Sequence, residues 1–313
     1  MLPHIEDFLL SLQTNNYSPE TVYNYDRDLK VFDQFLSEAG TSFDKVDKTT
    51  IARYKAYLTS RDRKTPISLK EQEKILVSRS VNRMLSSLRS FLKFLIEMDK
   101  PVPVPPEAVK LTKTERKHPQ VAEMNELISL IEAPNKFEKD KLVTLRNRAI
   151  LEVLFATGMR ISELCSLNRN QIDDSGKIFI MGKGKKQRFV YLTPRATEHL
   201  NRYLSTRKDI LPALFIPYAG QNVNSAKKRI ATNYLQAKIK EYREKLKINV
   251  PTSAHSLRHG FATYLAEEGA SPAAIQILLG HESLDTTTRY VHASDRFAQE
   301  THRKYHPLAE ADD

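Results

Sequence analysis

The sequence predicts a mainly α-helical protein of two domains with one small antiparallel β element. Three observations lead there. Apolar residues recur at three- and four-residue steps on both sides of a break in the chain. The break is DKPVPVPPEAVKLTKTERKHPQ (99–120), with five prolines, four of them ahead of a basic run. One segment, KIFIMGKGKKQRFVYLT (177–193), alternates with a period of two around a glycine-rich turn, which is a hairpin signature.

Before the break the pattern is helical. Ser18 followed by Pro19 reads as an N-cap with proline at the first helical position. Val22, Tyr25, Leu29, Phe32 and Leu36 then share a face, and Gly40 stops the helix. A second strong helix runs from about Ser80, with Val81, Leu85, Leu88, Leu92 and Leu95 turned inward. Its other face carries Arg79, Arg83 and Lys93, with Arg89 near it; these cations fit either a solvated surface or a face for DNA phosphates. Proline fixes φ and drives its predecessor out of the helical region, so the break is expected to be extended and semi-rigid. The domains are placed at 1–108 and 119–313, with 109–118 as linker.

After the break, NRAILEVLFATGMRISELCSL (147–167) reads as a buried helix, a stop at Gly158 and a new helix near Arg160. The hairpin follows, its strands marked by Ile178, Ile180, Val190 and Leu192 and its tip by three lysines and an arginine. In AHSLRHGFATYLAEEGASPAAIQILLGHESLDTTTRYVHA (254–293), Leu257, Phe261 and Leu265 mark the buried face of a helix closing at Gly269. His255 and Arg258 lie one turn apart on a different face. A helix from Ser271-Pro272 to Gly280 leaves His281 in the turn after it, and a further helix capped by Ser283 carries Tyr290. The tail 294–313 is amphipathic enough to be helical, and such a helix either packs on its own domain or docks on a neighbouring subunit.

Composition narrows the function. Charged residues make up 28% and hydrophobic residues 40%, ordinary for a soluble globular protein. The 49 lysines and arginines exceed the 38 acids, a net of +11, which favours a polyanionic partner. The excess is uneven: 1–52 carries 4 basic and 9 acidic groups, 53–93 carries 11 and 3, and 109–313 carries 33 and 23. Two basic regions bracketing the break suggest two surfaces clamped around one polyanion. A single cysteine, Cys165, allows no intramolecular disulfide and argues against a cysteine zinc site; it reads as a small buried hydrophobe. No apolar run approaches the roughly 20 residues of a membrane span, and MLPHIEDFLL has no basic leader, so a cytoplasmic setting without membrane contact is expected.

Two chemistries compete at 254–293. His255 and His259 have a zinc-binding spacing, but Ser-Leu-Arg lies between them with no glutamate base, and a guanidinium disfavours a bound cation. The anion reading uses every residue: arginine grips phosphate, histidine relays a proton, and tyrosine can act as nucleophile. Arg160, at the junction of two helices, fits a phosphate contact alongside backbone N–H groups and equally a cap or an ion pair with Glu163, and Lys183 alone reads as a solvated turn lysine.

Taken in order, ATGMRISEL with Arg160, GKGKKQR with Lys183, HSLRHGFATYL with His255 and Arg258, and LLGHESLDTTTRY with His281 and Tyr290 resemble the active-site set of the tyrosine recombinases. The resemblance covers the whole C-terminal domain and by architecture extends to their helical core-binding domain. It implies a catalytic set of Arg160, Lys183, His255, Arg258, His281 and Tyr290, acting on double-stranded DNA through a 3′-phosphotyrosyl intermediate without metal or cofactor. DNA contacts are expected at Arg79, Arg83, Arg89, Lys93, Lys185, Lys186 and Arg188, and His259 is expected to be structural. The resemblance also implies a dimer on each recombination site and a homotetramer on paired sites, joined through 294–313, with an accessory or activator protein as a further partner. Xer-type resolution of chromosome or plasmid dimers fits first, since no extra N-terminal arm-binding domain is evident. A mobile-element integrase is the alternative; TSRDRKTPISLKEQEKILVSRS (59–80) is longer than a compact Xer protein needs. A type IB topoisomerase-like enzyme and an inactive DNA-binding protein stand further off.

Overall fold

The computed structural model describes residues 2–60, 75–113, 122–181, 187–224, 228–280 and 299–307. They form two compact units that divide between Lys117 and His118, each with its own hydrophobic core.

In the first unit the described helices are α1 (Ile5–Thr14), α2 (Pro19–Glu38), α3 (Lys48–Thr59) and α4 (Ser78–Glu97). The Ser18 hydroxyl accepts the Thr21 amide at 3.2 Å and Pro19 opens α2; Gly40, with φ of 59°, follows its end. Val22, Leu29, Phe32 and Leu36 are buried, and so are Val81, Leu85, Leu88, Leu92 and Leu95 of α4. Each large apolar side chain so buried contributes about 1.5–3 kcal/mol before chain entropy is counted. Phe8 of α1 sits among Tyr25, Phe91 and Phe94 at ring-centroid distances of 5.4–5.5 Å.

The first half of the proline-rich stretch is folded onto this unit rather than free. Val104, Pro106 and Val109 are buried, and Pro106–Ala108 makes a 3₁₀ turn against α4. Asn82 of α4 then pins Thr112, donating to its carbonyl at 2.9 Å and accepting its amide at 2.7 Å. Apolar burial explains the difference from a semi-rigid spacer: the valines alternate with prolines and find a core to enter. Residues 61–74, most of the long segment noted in the sequence, and 114–121 lie outside the described residues.

The second unit is built around α6 (Lys141–Thr157), packed by α5 (Met124–Phe137), α8 (Pro194–Leu204) and α10 (Ala254–Glu267). Every residue of α6 from Arg146 to Thr157 is buried, so its polar groups need partners inside the protein. Arg148 donates to Glu152 at 2.9 Å, and Arg195 of α8 reaches the same carboxylate at 3.0 Å. Arg146 donates to the Ile216 carbonyl at 3.0 Å and to the Tyr234 hydroxyl at 2.6 Å.

The β element is a two-stranded antiparallel ribbon, β1 (Lys177–Met181) and β2 (Gln187–Tyr191). Ile178 pairs with Val190 and Ile180 with Arg188, and all four face inward. The connecting residues 182–186 are outside the described residues. Short α7 (Ile161–Ser166), α9 (Thr232–Lys245), α11 (Pro272–Leu279) and helical residues 299–305 complete the described α-helical segments. A mainly helical two-unit chain with one small antiparallel ribbon matches the fold class expected from the sequence.

Candidate active site

Two arginines are brought together where α6 ends. The chain leaves α6 at Gly158 with φ of 59°, and a Cβ there would lie 2.5 Å from the buried Phe261 ring. Only glycine allows so close an approach in that conformation. Two residues later Arg160 is the N-cap of α7: its amide donates to Glu163 Oε2 at 2.7 Å and its Nη1 to Glu163 Oε1 at 3.0 Å. The Arg160 side chain keeps 38% of its surface exposed, leaving donors for a phosphate.

α10 supplies the second arginine. Ser253 caps it, and Leu257, Phe261 and Leu265 bury one face. Arg258 is buried too, donating from Nη1 to the Gly158 carbonyl at 2.8 Å and from Nη2 to the Leu279 carbonyl at 2.6 Å. Two of its five N–H groups are thus engaged. One turn earlier, His255 is exposed, its ring edge-to-face with His259 at 4.4 Å.

The C-terminal end of α11 ties these pieces together. The Leu278 carbonyl accepts Arg188 Nε at 3.0 Å, the Leu279 carbonyl accepts Arg258, and the Gly280 carbonyl accepts Arg160 Nη2 at 3.5 Å. Three successive carbonyls thus face three guanidiniums, the partners that unsatisfied groups at a helix C-terminus favour. His281 is next in sequence and, like Lys183, Lys185, Lys186 and Tyr290, falls outside the described residues.

Electrostatics follow from the geometry. Burial pushes the Glu163 carboxyl up, but hydrogen bonds from Arg188 and the Arg160 amide, with the Arg188 charge, reverse this and hold it below the usual carboxylate range. Burial, then the Arg160 and Arg188 charges, lower Arg258 to about 10, so it stays cationic at neutral pH. Burial, then the charges of His259, Arg258 and Arg160, push His255 down, so at pH 7 it is neutral and able to accept a proton. One carboxylate against three guanidiniums leaves excess positive charge, as an anionic phosphodiester requires. Burial raises the Cys165 thiol to about 12, consistent with an inert half-buried hydrophobe.

Among the expected DNA contacts, Arg79, Arg83 and Lys93 are exposed on α4, and Arg89 is half-buried. Arg83 is also paired with Asp28, which is 2% exposed and accepts Ser87 Oγ at 2.9 Å. Arg188 differs from expectation. It is buried, with Nη1 and Nη2 on the two Glu163 oxygens at 2.9 and 2.7 Å, so its guanidinium faces the protein interior rather than a phosphate. The signal lay in the alternation: if Val190 points inward, so does Arg188 two residues earlier. Glu163 was visible in the sequence only as a partner for Arg160. His302 and His306 carry no sequence signal; both are buried in their own unit, near Phe155 and Phe261, with His302 Nε2 within hydrogen-bond distance of the Ala156 carbonyl at 2.5 Å.

The phage integrase family matches residues 120–296, and the phage integrase N-terminal SAM-like domain matches residues 5–98. The chain belongs to the phage integrase family. This integrase-family protein is 35% identical over 316 residues to tyrosine recombinase XerC of Pelobacter propionicus, covering 99% of this chain and 97% of that one. It is 31% identical over 314 residues to tyrosine recombinase XerD of Staphylococcus saprophyticus, covering 97% and 99%. Site-specific DNA strand exchange is accordingly the reaction of this family member. Two solved structures share the fold. XerH bound to a palindromic difH substrate in a post-cleavage complex has a TM-score of 0.68 at 22% identity, covering 92% of this chain and 80% of that one. A lambda integrase tetramer bound to a Holliday junction has a TM-score of 0.64 at 17% identity, covering 92% and 79%. No described helix of this integrase-family protein is long and apolar enough to cross a membrane.

Proposed function

We propose that this recombinase resolves chromosome or plasmid dimers, cutting and rejoining DNA through a 3′-phosphotyrosyl bond at Tyr290. The observation that carries the chemistry is the meeting of Arg160 and Arg258 around the end of α11, with a neutral His255 on the same helix as Arg258.

The Tyr290 hydroxyl attacks the scissile phosphorus, forming a phosphotyrosyl ester and expelling the 5′ oxygen. The 5′-hydroxyl of the partner strand then attacks that ester and releases the tyrosine, so phosphodiester number is conserved and no high-energy cofactor is consumed. Arg160 and Arg258 hold the nonbridging oxygens, supplying the charge neutralisation that a divalent metal provides in other phosphoryl-transfer sites. A free tyrosine has a pKa of about 10, so the nucleophile needs help. His255 takes its proton, Lys183 protonates the leaving 5′ oxygen, and His281 hydrogen-bonds a nonbridging oxygen. The exposed cations of α4 and the hairpin lysines Lys185 and Lys186 bind backbone phosphates, and base contacts set the site.

In this reading the protein is cytoplasmic. It binds duplex DNA as a dimer on each site and a homotetramer on paired sites, and an accessory protein regulates it. Residues 299–307 pack on their own unit in the single chain, so a subunit contact through 294–313 exchanges that packing for the same one on a neighbour. The similarity to XerC and XerD over nearly the whole chain favours dimer resolution over mobile-element integration.

The test uses a supercoiled plasmid with two direct copies of the dimer-resolution site of the replicon that encodes the chain. Wild-type protein is expected to split it into two circles, and Tyr290→Phe to leave it intact. Relaxation of a plasmid lacking any site, without resolution of the two-site plasmid, would replace the reading with a topoisomerase.

A further inference from the structure

We infer that Arg188 is a positioning residue for the strand-transfer site: it holds Glu163 so that Glu163 can fix Arg160, and it secures the C-terminal end of α11. The inference rests on the recombinase reading above and deepens it.

Arg188 has no surface role left to play. It is 9% exposed and stands on the inward face of β2 opposite Ile180. A lone guanidinium there would be costly to bury, so its partners define its role. Nη1 and Nη2 take both oxygens of Glu163 in a parallel two-bond fork. Those oxygens also receive the amide and side chain of Arg160, so the carboxylate stands between the two arginines. Nε of Arg188 donates to the Leu278 carbonyl at 3.0 Å. Close packing continues two residues on: a Cβ at Gly280, whose φ is 64°, would lie 2.9 Å from Arg188 Cδ. One side chain from β2 therefore touches α7, through Glu163, and the end of α11, where the carbonyl of the capping Gly280 faces Arg160.

Lysine cannot reproduce this. A single ammonium reaches one carboxylate oxygen as a point charge but cannot form the planar fork while also serving a carbonyl. Loss of Arg188 frees Glu163 to shift, and Arg160 with it. A misplacement of about 1 Å at a phosphate-holding group costs on the order of 100-fold in rate.

The experiment measures single-turnover covalent capture of a nicked suicide duplex at saturating protein, with affinity and its salt dependence measured in parallel. It compares wild type, Arg188→Met, Arg188→Lys and the pair Arg188→Met with Glu163→Gln. Removing one partner of a buried pair destabilises a protein more than replacing both by neutral groups, so the double variant is the one that stays folded. A positioning role predicts roughly 100-fold slower capture in Arg188→Met and the double variant, no rescue by lysine, and unchanged affinity and salt slope. The diagnostic arm replaces one nonbridging oxygen of the scissile phosphate by methyl. Without that charge the reaction no longer leans on Arg160, so the deficit should shrink to roughly tenfold or less. Wild-type rates in the folded double variant, an equal deficit on both substrates, or a loss confined to affinity would overturn the inference. Failure of wild type itself to form the adduct, with DNA bound, would instead remove the recombinase reading on which it rests.

Discussion

Arg188 and Glu163 meet inside the second unit through two hydrogen bonds of 2.9 and 2.7 Å, although 25 residues separate them. The pair links the β ribbon to α7, and through the Arg160 amide it sets where α7 begins. The site is thus assembled by buried charge, and several consequences can be measured.

Glu163 should give the fold an acid-sensitive term. Its carboxyl is held below the ordinary range, so the unfolded chain binds a proton more readily than the folded one. The stabilisation is full above the ordinary glutamate pKa of about 4.3 and fades as pH falls through the folded value. Glu163→Gln should remove that limb and cost about 3 kcal/mol or more at pH 7, because two guanidiniums lose their carboxylate. Thermal melts across pH check both.

His255 should leave its mark on rate. Its pKa is lowered, so it is neutral at pH 7 and gains a proton only below the ordinary histidine value of about 6.5. Single-turnover capture should be flat near neutrality and fall on acidification with a midpoint below that value. His255→Ala should lower capture on the order of 100-fold at pH 7 and abolish the limb, with DNA affinity unchanged.

The C-terminal helical residues 299–305 should detach in mild acid. Burial lowers His302 to about 4, and burial, then the neighbouring His302 charge, holds His306 well below the usual histidine range. Both are then neutral when docked, so stabilisation is full above about pH 6.5 and lost as pH falls toward 4. For His302 alone the full loss is on the order of 3 kcal/mol. Limited proteolysis between pH 7 and pH 4.5 should show the tail becoming cleavable before the rest of the unit, and His302→Phe should blunt the change.

Gly158→Ala tests the turn that presents Arg160. Its Cβ would meet the Phe261 ring at 2.5 Å with φ of 59°, and that ring is fully buried. Overpacking and left-handed backbone together should cost about 2–4 kcal/mol, read by denaturant unfolding.

On α4, Arg79→Ala and Lys93→Ala should each weaken binding alike on all DNA sequences and reduce the salt slope by about 0.9. Arg83→Ala should add a loss of stability, since Asp28 is 2% exposed and would keep only Ser87. Salt titrations and melts of the three variants separate these effects.

Much of this was legible in residue order. The stripe Leu257, Phe261 and Leu265 and the stop at Gly158 are local signals, and they place Arg160 and Arg258 on elements that converge. Arg188 is deceptive because a cation beside three lysines suggests a surface. Its own strand alternation pointed inward, but the buried carboxylate that receives it is a non-local contact without a sequence signature. The same holds for Arg146, Arg148 and Glu152 in α6, whose partners arrive from α5, α8 and the 216–234 region. The proline-rich stretch was read as a spacer because proline dominates its backbone preferences; Val104 and Val109 decide its packing instead.

Strand exchange of this kind requires that one tyrosine become joined to DNA. The chain has 13 tyrosines. Wild-type protein would be trapped on a suicide duplex in EDTA, digested with nuclease and trypsin, and the modified peptide sequenced by mass spectrometry. The expected product is a residual 3′-phosphonucleotide on Tyr290 alone. Its attachment to any other residue, or cut DNA with no attached peptide, would contradict it.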